Sequence, residues 1–382
     1  PSLPSANEPS LSVLGPTSPP LAAAMSHYAA QIPPTNWYSA VQLRLRSRDL
    51  SIPEAAFVPR PSHVGLIDAL RIGAGYGATT VVCDLEAARR RAARLHPSPQ
   101  RRLHVEASHA TMLSTQATLP TLTGARYRSL WIGGRGPGAQ RYFSGSDAAA
   151  ALGLITTPAF SIAAKSLSEP RLWRATTDSL ALSMATAAVC ASIDTVPVHH
   201  RPSTWRCGSL FCGVYDALFI AAQRAGVAAI ATLAVEKAQW KLDVAWRAHR
   251  YLHVRRDAFA PADDDLPNLD MLFWTPPCPC VSSGGQMSTV PTHVKRARAL
   301  SATRRAAVVL VDYARRTTPI LIVGEQVKGL LSHYPAAWLA LGYALASIPY
   351  AWRWTLAQAS QLGHQTLRAR LIIMGTRVDY VY

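Results

Sequence analysis

Cys278 stands behind Pro276 and Pro277 in the run Thr275-Pro276-Pro277-Cys278-Pro279-Cys280, after the apolar stretch 269–274 and before the small-residue stretch 281–285. A thiol set by prolines at the end of a buried strand, with glycines beyond it that let the chain move, has the setting of a positioned nucleophile. Taken alone, the same residues more often make a strand, a Pro-rich turn and apolar cysteine fillers. Metal is a further chemistry to weigh, because Cys278, Cys280, Cys207 and Cys212 make four thiols. No Cys-x-x-Cys knuckle is present, so no metal site is expected.

Glu325 ends the apolar run 319–323 in Gly324-Glu325-Gln326-Val327, and Arg368 and Arg370 alternate at the entry to the apolar run 371–374. In an open parallel sheet, ligands gather at the carboxyl ends of the strands, so Cys278 and Glu325 are expected to converge. Strand alternation places both guanidiniums on one face. A nucleophile, a carboxyl group and two cations would then share one cleft.

Those side chains need a sheet to hold them, and the pattern from residue 207 onward supplies one. Residues 208–212, 227–235, 269–274, 319–323 and 370–375 read as strands. Residues 216–225, a stretch through Trp246 and Ala248, 306–316 and 329–345 read as helices between them. Alternation of this kind predicts an α/β fold with a mainly parallel sheet covered on both faces. Residues 1–34, rich in Pro, Ser and Ala, read as a disordered lead. Residues 35–130 are irregular and carry the clusters Arg44, Arg46, Arg48 and Arg89, Arg90, Arg91, Arg94.

The 382 residues hold 39 basic against 22 acidic side chains, a net charge of +17, which favours a polyanionic partner, nucleic acid above all. Six scattered cysteines do not resemble a disulfide framework, so a reducing, intracellular setting is expected. The most membrane-like run, 336–352, is interrupted by Pro349, and neither a transmembrane helix nor a signal peptide is expected. The sequence begins without Met, as a piece of a longer chain would. Gly73-Ala74-Gly75-Tyr76-Gly77, followed by Asp84, has no helix after its glycines and reads as a tight turn rather than a dinucleotide site. His199-His200 reads as loop polarity.

In their order, Leu210-Phe211-Cys212-Gly213, Pro277-Cys278, Glu325-Gln326-Val327 and Arg368-Ala369-Arg370 resemble the motifs of the carbon-5 cytosine-specific DNA methyltransferase family. The resemblance implies a Rossmann-like S-adenosylmethionine-dependent methyltransferase sheet with a smaller, irregular target-recognition domain at 35–130 and a catalytic domain at 131–382. It implies Cys278 as the nucleophile toward carbon 6 of a flipped cytosine, Glu325 held protonated against ring nitrogen 3, and Arg368 and Arg370 as orienting cations. Loop 282–303, with Lys295, Arg296 and Arg298, would close over the base. The methyl donor, S-adenosylmethionine, would be held by Phe211, Gly213, Glu236, Asp257, Pro277 and Asp178. Asp257 also reads as an exposed loop acid. The implied partner is DNA, bound by a monomer away from any membrane, in the nucleus if the cell has one.

The chain departs from the family pattern where Tyr215-Asp216 replace a Gly-Gly pair, Ser209 an acid, Pro279 a polar residue and Gln326 an Asn. These changes crowd the donor's seat and keep open a catalytically weakened DNA-binding homologue. Identical base chemistry keeps open a methyltransferase acting on RNA. Segments resembling the family's closing motifs lie upstream, at Arg141 to Asp147 and Thr177 to Leu180, so the chain reads as circularly permuted, with closing motifs at 131–200 joined to the core 205–382.

Overall fold

The computed structural model describes residues 19–31, 81–85, 112–113, 130–133, 141–259, 266–277, 290–362 and 368–380, with Leu119, Leu122, Tyr127 and Thr366 singly. A small sheet is formed by β1 (Val81–Asp84), β2 (Met112–Leu113), β3 (Leu130–Gly133) and β4 (Arg141–Tyr142), in the order β2-β1-β3-β4. It extends past residue 130, so the domain boundary expected there falls inside β3. The Gly73 to Gly77 turn and the basic clusters at 44–48 and 89–94 lie outside the described residues.

The main sheet has seven strands: β5 (Trp205–Leu210), β6 (Ala229–Val235), β7 (His253–Arg255), β8 (Met271–Trp274), β9 (Leu321–Val327), β10 (Tyr350–Gln358) and β11 (Ala369–Arg377). They lie in the order β10-β11-β9-β8-β5-β6-β7. Strands β5 to β9 are parallel, and β11 enters antiparallel between β9 and β10. This is a Rossmann-like, mostly parallel sheet in a mixed α/β fold.

Each central strand is a short apolar run because both of its faces are covered. In β8, Met271 and Phe273 join the core on one face, while Leu272 and Trp274 join the core on the other. Strand β5 has β6 on one side and β8 on the other, so the chain reverses direction across the sheet there. A crevice opens at the carboxyl ends of strands at such a switch point.

The first face is packed by helices Leu182–Ile193 and Ala217–Arg224. Leu182–Ile193 consists mostly of small and apolar residues and is buried almost all round, which lets it approach its neighbours closely. Helix Pro19–Gln31 docks on it through Leu21 and Met25, and Tyr28 donates to Asp194. Part of the expected disordered lead is therefore an ordered helix, because its two buried apolar residues find a partner far along the chain. The other face is packed by helices Thr292–Thr317 and Pro335–Ala346.

Two further sequence expectations need correction. The expected closing loop 282–303 is helical from Thr292, in one piece with the segment expected at 306–316. The run 329–345 is two helices, Gly329–His333 and Pro335–Ala346, parted at Tyr334 because Pro335 suits a first helical turn and not an interior. The membrane-like run 336–352 ends inside β10, an edge strand with Trp354 buried. Among the described residues one helical stretch, Glu169–Ile193, is apolar and long enough to cross a membrane, and 83% of its most apolar 18-residue window is buried in the protein.

Just after the small sheet, Ser144 caps helix Gly145–Ala151 in a reciprocal capping box with Asp147. Arg141, wholly buried, reaches the same carboxylate with Nη1 at 2.5 Å and Nη2 at 3.1 Å. Removing one member of such a pair leaves a buried charge alone. Arg141→Met should lower unfolding stability by about 3–5 kcal/mol, and adding Asp147→Leu should restore much of the loss, as read by urea denaturation.

A buried polar network underlies the turn after β5. Asp216 caps helix Ala217–Arg224, accepting from Phe219 N at 3.4 Å and from the Ser209 and Tyr251 hydroxyls. His249 lies 2.9 Å from the Tyr215 carbonyl through Nε2 and packs edge-on against Phe219 and Tyr251. Burial lowers the His249 pKa, against the pull of Asp216, and burial raises that of Asp216. An imidazole lowered below its unfolded value of about 6.5 binds fewer protons when folded, so its contribution to stability is lost as pH falls through that window. Asp216 acts with the opposite sign: stability falls as pH rises from the ordinary carboxylate value toward its raised one. The difference between wild type and His249→Phe isolates the histidine: the variant should lose less stability between pH 7 and pH 5, measured by urea midpoints.

Candidate active site

The turn leaving β5 forms one wall of the crevice. Phe211 sits in the left-handed region at φ 63°, a conformation that costs a side-chain-bearing residue about 1–3 kcal/mol and persists only where neighbours hold it. They do so here. Its amide and that of Cys212 donate to the Val235 carbonyl at 2.7 and 3.2 Å, and its carbonyl accepts from Thr275 Oγ1 at 3.0 Å. Gly213 follows at φ 66°, and a Cβ there would meet nothing within 4 Å, so this side of the turn is open.

Glu236, at the end of β6, accepts from the Gly213 amide at 3.1 Å and from the Ala238 amide at 2.9 Å. An ionised carboxylate has about four acceptor sites, so it retains capacity for hydroxyl donors. Asp257, beyond β7, is exposed and accepts from Phe259 N at 2.9 Å. The Phe211 and Phe259 rings lie 6.0 Å apart, with the Arg305 guanidinium 4.5 Å from the centre of the Phe259 ring. An open glycine turn, an aromatic pair and two carboxylates at adjacent strand ends fit an adenosyl group: apolar faces for a purine, acceptors for hydroxyls and an amino group.

Tyr215 and Asp216, expected to crowd this seat, turn inward instead. Tyr215 is 1% exposed with its hydroxyl 3.0 Å from Thr176 Oγ1, and Asp216 is occupied as a helix cap. Asp178, at the end of helix Glu169–Asp178, pairs with Lys241 Nζ at 3.4 Å and lies 3.9 Å from Arg174 Nε. Cys207 and Cys212 are buried, and burial pushes both thiols up, which makes them inert packing. Among the described residues no three His, Cys, Asp or Glu side chains group to hold a metal ion.

The opposite wall is built from β8 and β9. Cys278 lies outside the described residues, as does Cys280; the chain leading to Cys278 is described to Pro277. That lead is held at three points. Thr275 N donates to the Leu210 carbonyl at 3.2 Å, the buried Gln326 amide donates to the Pro276 carbonyl at 3.1 Å, and Trp274 Nε1 donates to the Ala306 carbonyl at 3.2 Å. Pro277 itself is exposed. Gly324 pairs with Trp274 across the strands, and a Cβ there would stand 2.9 Å from the Trp274 ring. Only glycine lets β9 pass this ring without displacing it.

Glu325 and Arg370 come together. They are diagonal neighbours across β9 and β11, with Arg370 Nε 2.5 Å from Glu325 Oε1. The Nε–H direction misses the oxygen, so Nε makes no hydrogen bond to it, while Nη1 donates to the Ala369 carbonyl at 2.9 Å. Arg368 is not brought to them. Its guanidinium is 2% exposed and donates to the carbonyls of Leu122 at 3.1 Å, Thr177 at 3.0 Å and Ser179 at 2.6 Å. Alternation along the strand predicts a shared face, but Arg368 precedes β11, where the pleat no longer sets its direction. Carbonyls at the end of a helix attract a cation more strongly.

Sequence reasoning missed Phe259, Arg305 and the Gln326 clamp. An exposed aromatic two residues after Asp257 was the available signal for Phe259. Nothing local marks Arg305 or the clamp, because their partners lie 46 and 50 residues away.

Residues 205–382 match the family model described as C-5 cytosine-specific DNA methylase. No curated protein sequence matches the chain. Similar solved structures include the Dnmt2 methyltransferase of S. pombe, with 14% identity over 46% of this chain and 50% of that one at a TM-score of 0.35. A putative DNA modification methyltransferase encoded within an E. coli prophage shares 20% identity over 46% of this chain and 47% of that one, at a TM-score of 0.36. TrmN from Thermus thermophilus shares 16% over 52% and 49%, at 0.31. The chain thus spans about half the length of these three solved structures. The ordered motifs and the family match agree in placing the similarity to C-5 cytosine-specific DNA methylases in residues 205–382.

Proposed function

We propose that the chain methylates carbon 5 of a cytosine in DNA through a covalent adduct on Cys278. The observation that carries the reading is the meeting of Glu325 and Arg370 beside the Gln326 clamp on Pro276, two residues ahead of that thiol. Carbon 5 of cytosine is a poor nucleophile. The Cys278 thiolate adds to carbon 6, and the ring electrons shift toward nitrogen 3 and carbon 5. Glu325 holds a proton at nitrogen 3 as this charge develops, and Arg370 orients the carboxyl group. Phe211, Gly213, Glu236 and Asp257, with Pro277 and Asp178, would hold S-adenosylmethionine, which would supply an electrophilic methyl carbon to carbon 5 and leave as the neutral thioether as its sulfur–methyl bond breaks. Loss of the carbon 5 proton and departure of the thiolate then restore the ring. These atoms are hidden in a base pair, so the target cytosine must leave the stack, at a cost of a few kcal/mol.

The inward turn of Tyr215 and Asp216 supports an active enzyme over an inert homologue, because the open side of Gly213 is not filled by them. Residues 35–130 would supply target recognition. Circular permutation is supported by helix Leu182–Ile193, which packs on the helix following β5 and against β9 and β11 although it precedes all of them in the chain. The short stretch 194–204 joins it to β5.

DNA containing 5-fluorocytosine traps such an adduct, because fluorine cannot leave carbon 5 as a proton does. Wild-type protein with labelled S-adenosylmethionine should form a complex that survives denaturing electrophoresis, and Cys278→Ala should form none. A wild type that binds this DNA and the donor without forming the adduct would contradict the proposal. Gln326→Leu keeps the volume but releases Pro276, and a small misplacement of the nucleophile should slow adduct formation about 10²-fold in single-turnover assays.

A further inference from the structure

Beside the turn that follows β5 stands a cation whose hydrogen-bonding capacity is mostly unused. Lys241 lies in the first turn of helix Gln239–His249, its amide bonded to the Ala238 carbonyl at 2.9 Å. Its side chain is only 18% exposed, yet among the described residues its three N–H donors have one acceptor, Asp178 Oδ2 at 3.4 Å. That carboxylate is itself open to water, at 46% exposure. The Trp240 ring lies alongside, with the Lys241 ammonium and the Arg171 guanidinium each 5.7 Å from its centre. A single long pair of this kind contributes little to stability, so the fold does not account for an ammonium drawn in from solvent.

Three segments meet at this pair. Thr176 Oγ1 lies 3.0 Å from the Tyr215 hydroxyl, so the end of helix Glu169–Asp178 packs against the turn, with Asp178 two residues further on. Glu236 ties the turn to the start of the Lys241 helix by accepting from both the Gly213 and the Ala238 amides. Burial raises the Cys212 thiol and the Lys241 charge pulls it the other way, which places the ammonium within electrostatic range of the turn. The pair therefore borders the turn whose Gly213 side is open. Strand order sets which part of a methyl donor would reach it. Asp257 follows β7, Glu236 follows β6 and Gly213 follows β5, three neighbours in the sheet. An adenosyl group with its base at Asp257 and its ribose at Glu236 would bring its sulfur to Gly213. Its methyl group would then face β8 and the lead to Cys278, and its amino-acid arm the side where Asp178 and Lys241 stand.

We propose that Lys241 and Asp178 form the seat for the amino-acid end of the donor, with Lys241 donating to its carboxylate and Asp178 accepting from its ammonium. The inference rests on the reading that the chain takes S-adenosylmethionine, and it adds Lys241 as a residue that selects by charge. The arm ends in one group of each sign, and the pair offers the opposite sign to each. Charge-assisted bonds are the strong ones, so each ion would trade its 3.4 Å contact for a closer partner. Neither residue touches the reacting atoms. They decide which sulfur compound is held and how its arm is placed.

The test is isothermal titration of the full chain with three thioethers that share the adenosyl group. Methylthioadenosine has neither charged group, decarboxylated S-adenosylhomocysteine has the ammonium alone, and S-adenosylhomocysteine has both. Wild type should bind them in rising order of affinity, each charged group adding about 10- to 100-fold. Lys241→Met should bring S-adenosylhomocysteine level with its decarboxylated form while methylthioadenosine binds as before, and Lys241→Arg should keep part of the difference. Asp178→Asn should bring the decarboxylated compound level with methylthioadenosine. Lys237→Met removes the same charge from an exposed neighbour of Glu236 and should keep the wild-type order. A Lys241→Met protein that keeps the full preference for S-adenosylhomocysteine, or that weakens all three compounds alike, overturns the seat. So does an equal loss in Lys237→Met. A wild type that holds all three equally removes the seat and leaves the donor reading standing, whereas one that binds none of them removes both.

Discussion

The hydrogen bond from the Gln326 amide to the Pro276 carbonyl joins the two strand ends on which the site depends. One of these strands delivers the chain to Cys278; the other carries Glu325. The bond is buried, so leaving the carbonyl without a partner would cost about 1–3 kcal/mol. This gives the lead to Cys278 a defined path before the segment that follows it begins. Gln326 stands where the family pattern has Asn, and its longer side chain still reaches the carbonyl because Gly324, opposite Trp274, lets β9 lie close to β8.

The other wall is held in the same manner, by bonds that cross between strands. Phe211 keeps a left-handed turn because Val235 and Thr275 grip it from both neighbouring strands, and Thr275 directly follows β8. The wall with Phe211 and the wall that leads toward Cys278 therefore share a residue. Tyr215 and Asp216 are accommodated below this turn, where Asp216 caps a helix and accepts from Ser209 on β5.

Arg368 shows how the upstream part of the chain is tied to the core. Its three carbonyl partners come from Leu122 and from the end of helix Glu169–Asp178, some 190 to 250 residues earlier. Leu119 forms a parallel bridge with Thr366 in the same place. Arg370, two residues on, keeps to Glu325. One Arg-x-Arg pair thus serves two needs, cohesion between distant segments and charge in the crevice.

The sequence by itself determined the strands and the edge on which their chemistry collects. Runs such as Met271 to Trp274 must be buried on both faces, and parallel strands bring their carboxyl ends, with Phe211, Glu236 and Glu325, to one side. Order along the chain was enough for that, since local pattern fixes both strand and direction. The tertiary structure alone decided which arginine meets Glu325, why helix Pro19–Gln31 is ordered, that residues 292–303 are helical, and that the seat beside Gly213 stays open. Each of these depends on a partner distant in sequence. A guanidinium, a short apolar pair or a buried hydroxyl carries no mark of which distant carbonyl or helix face will satisfy it, and only packing makes that choice.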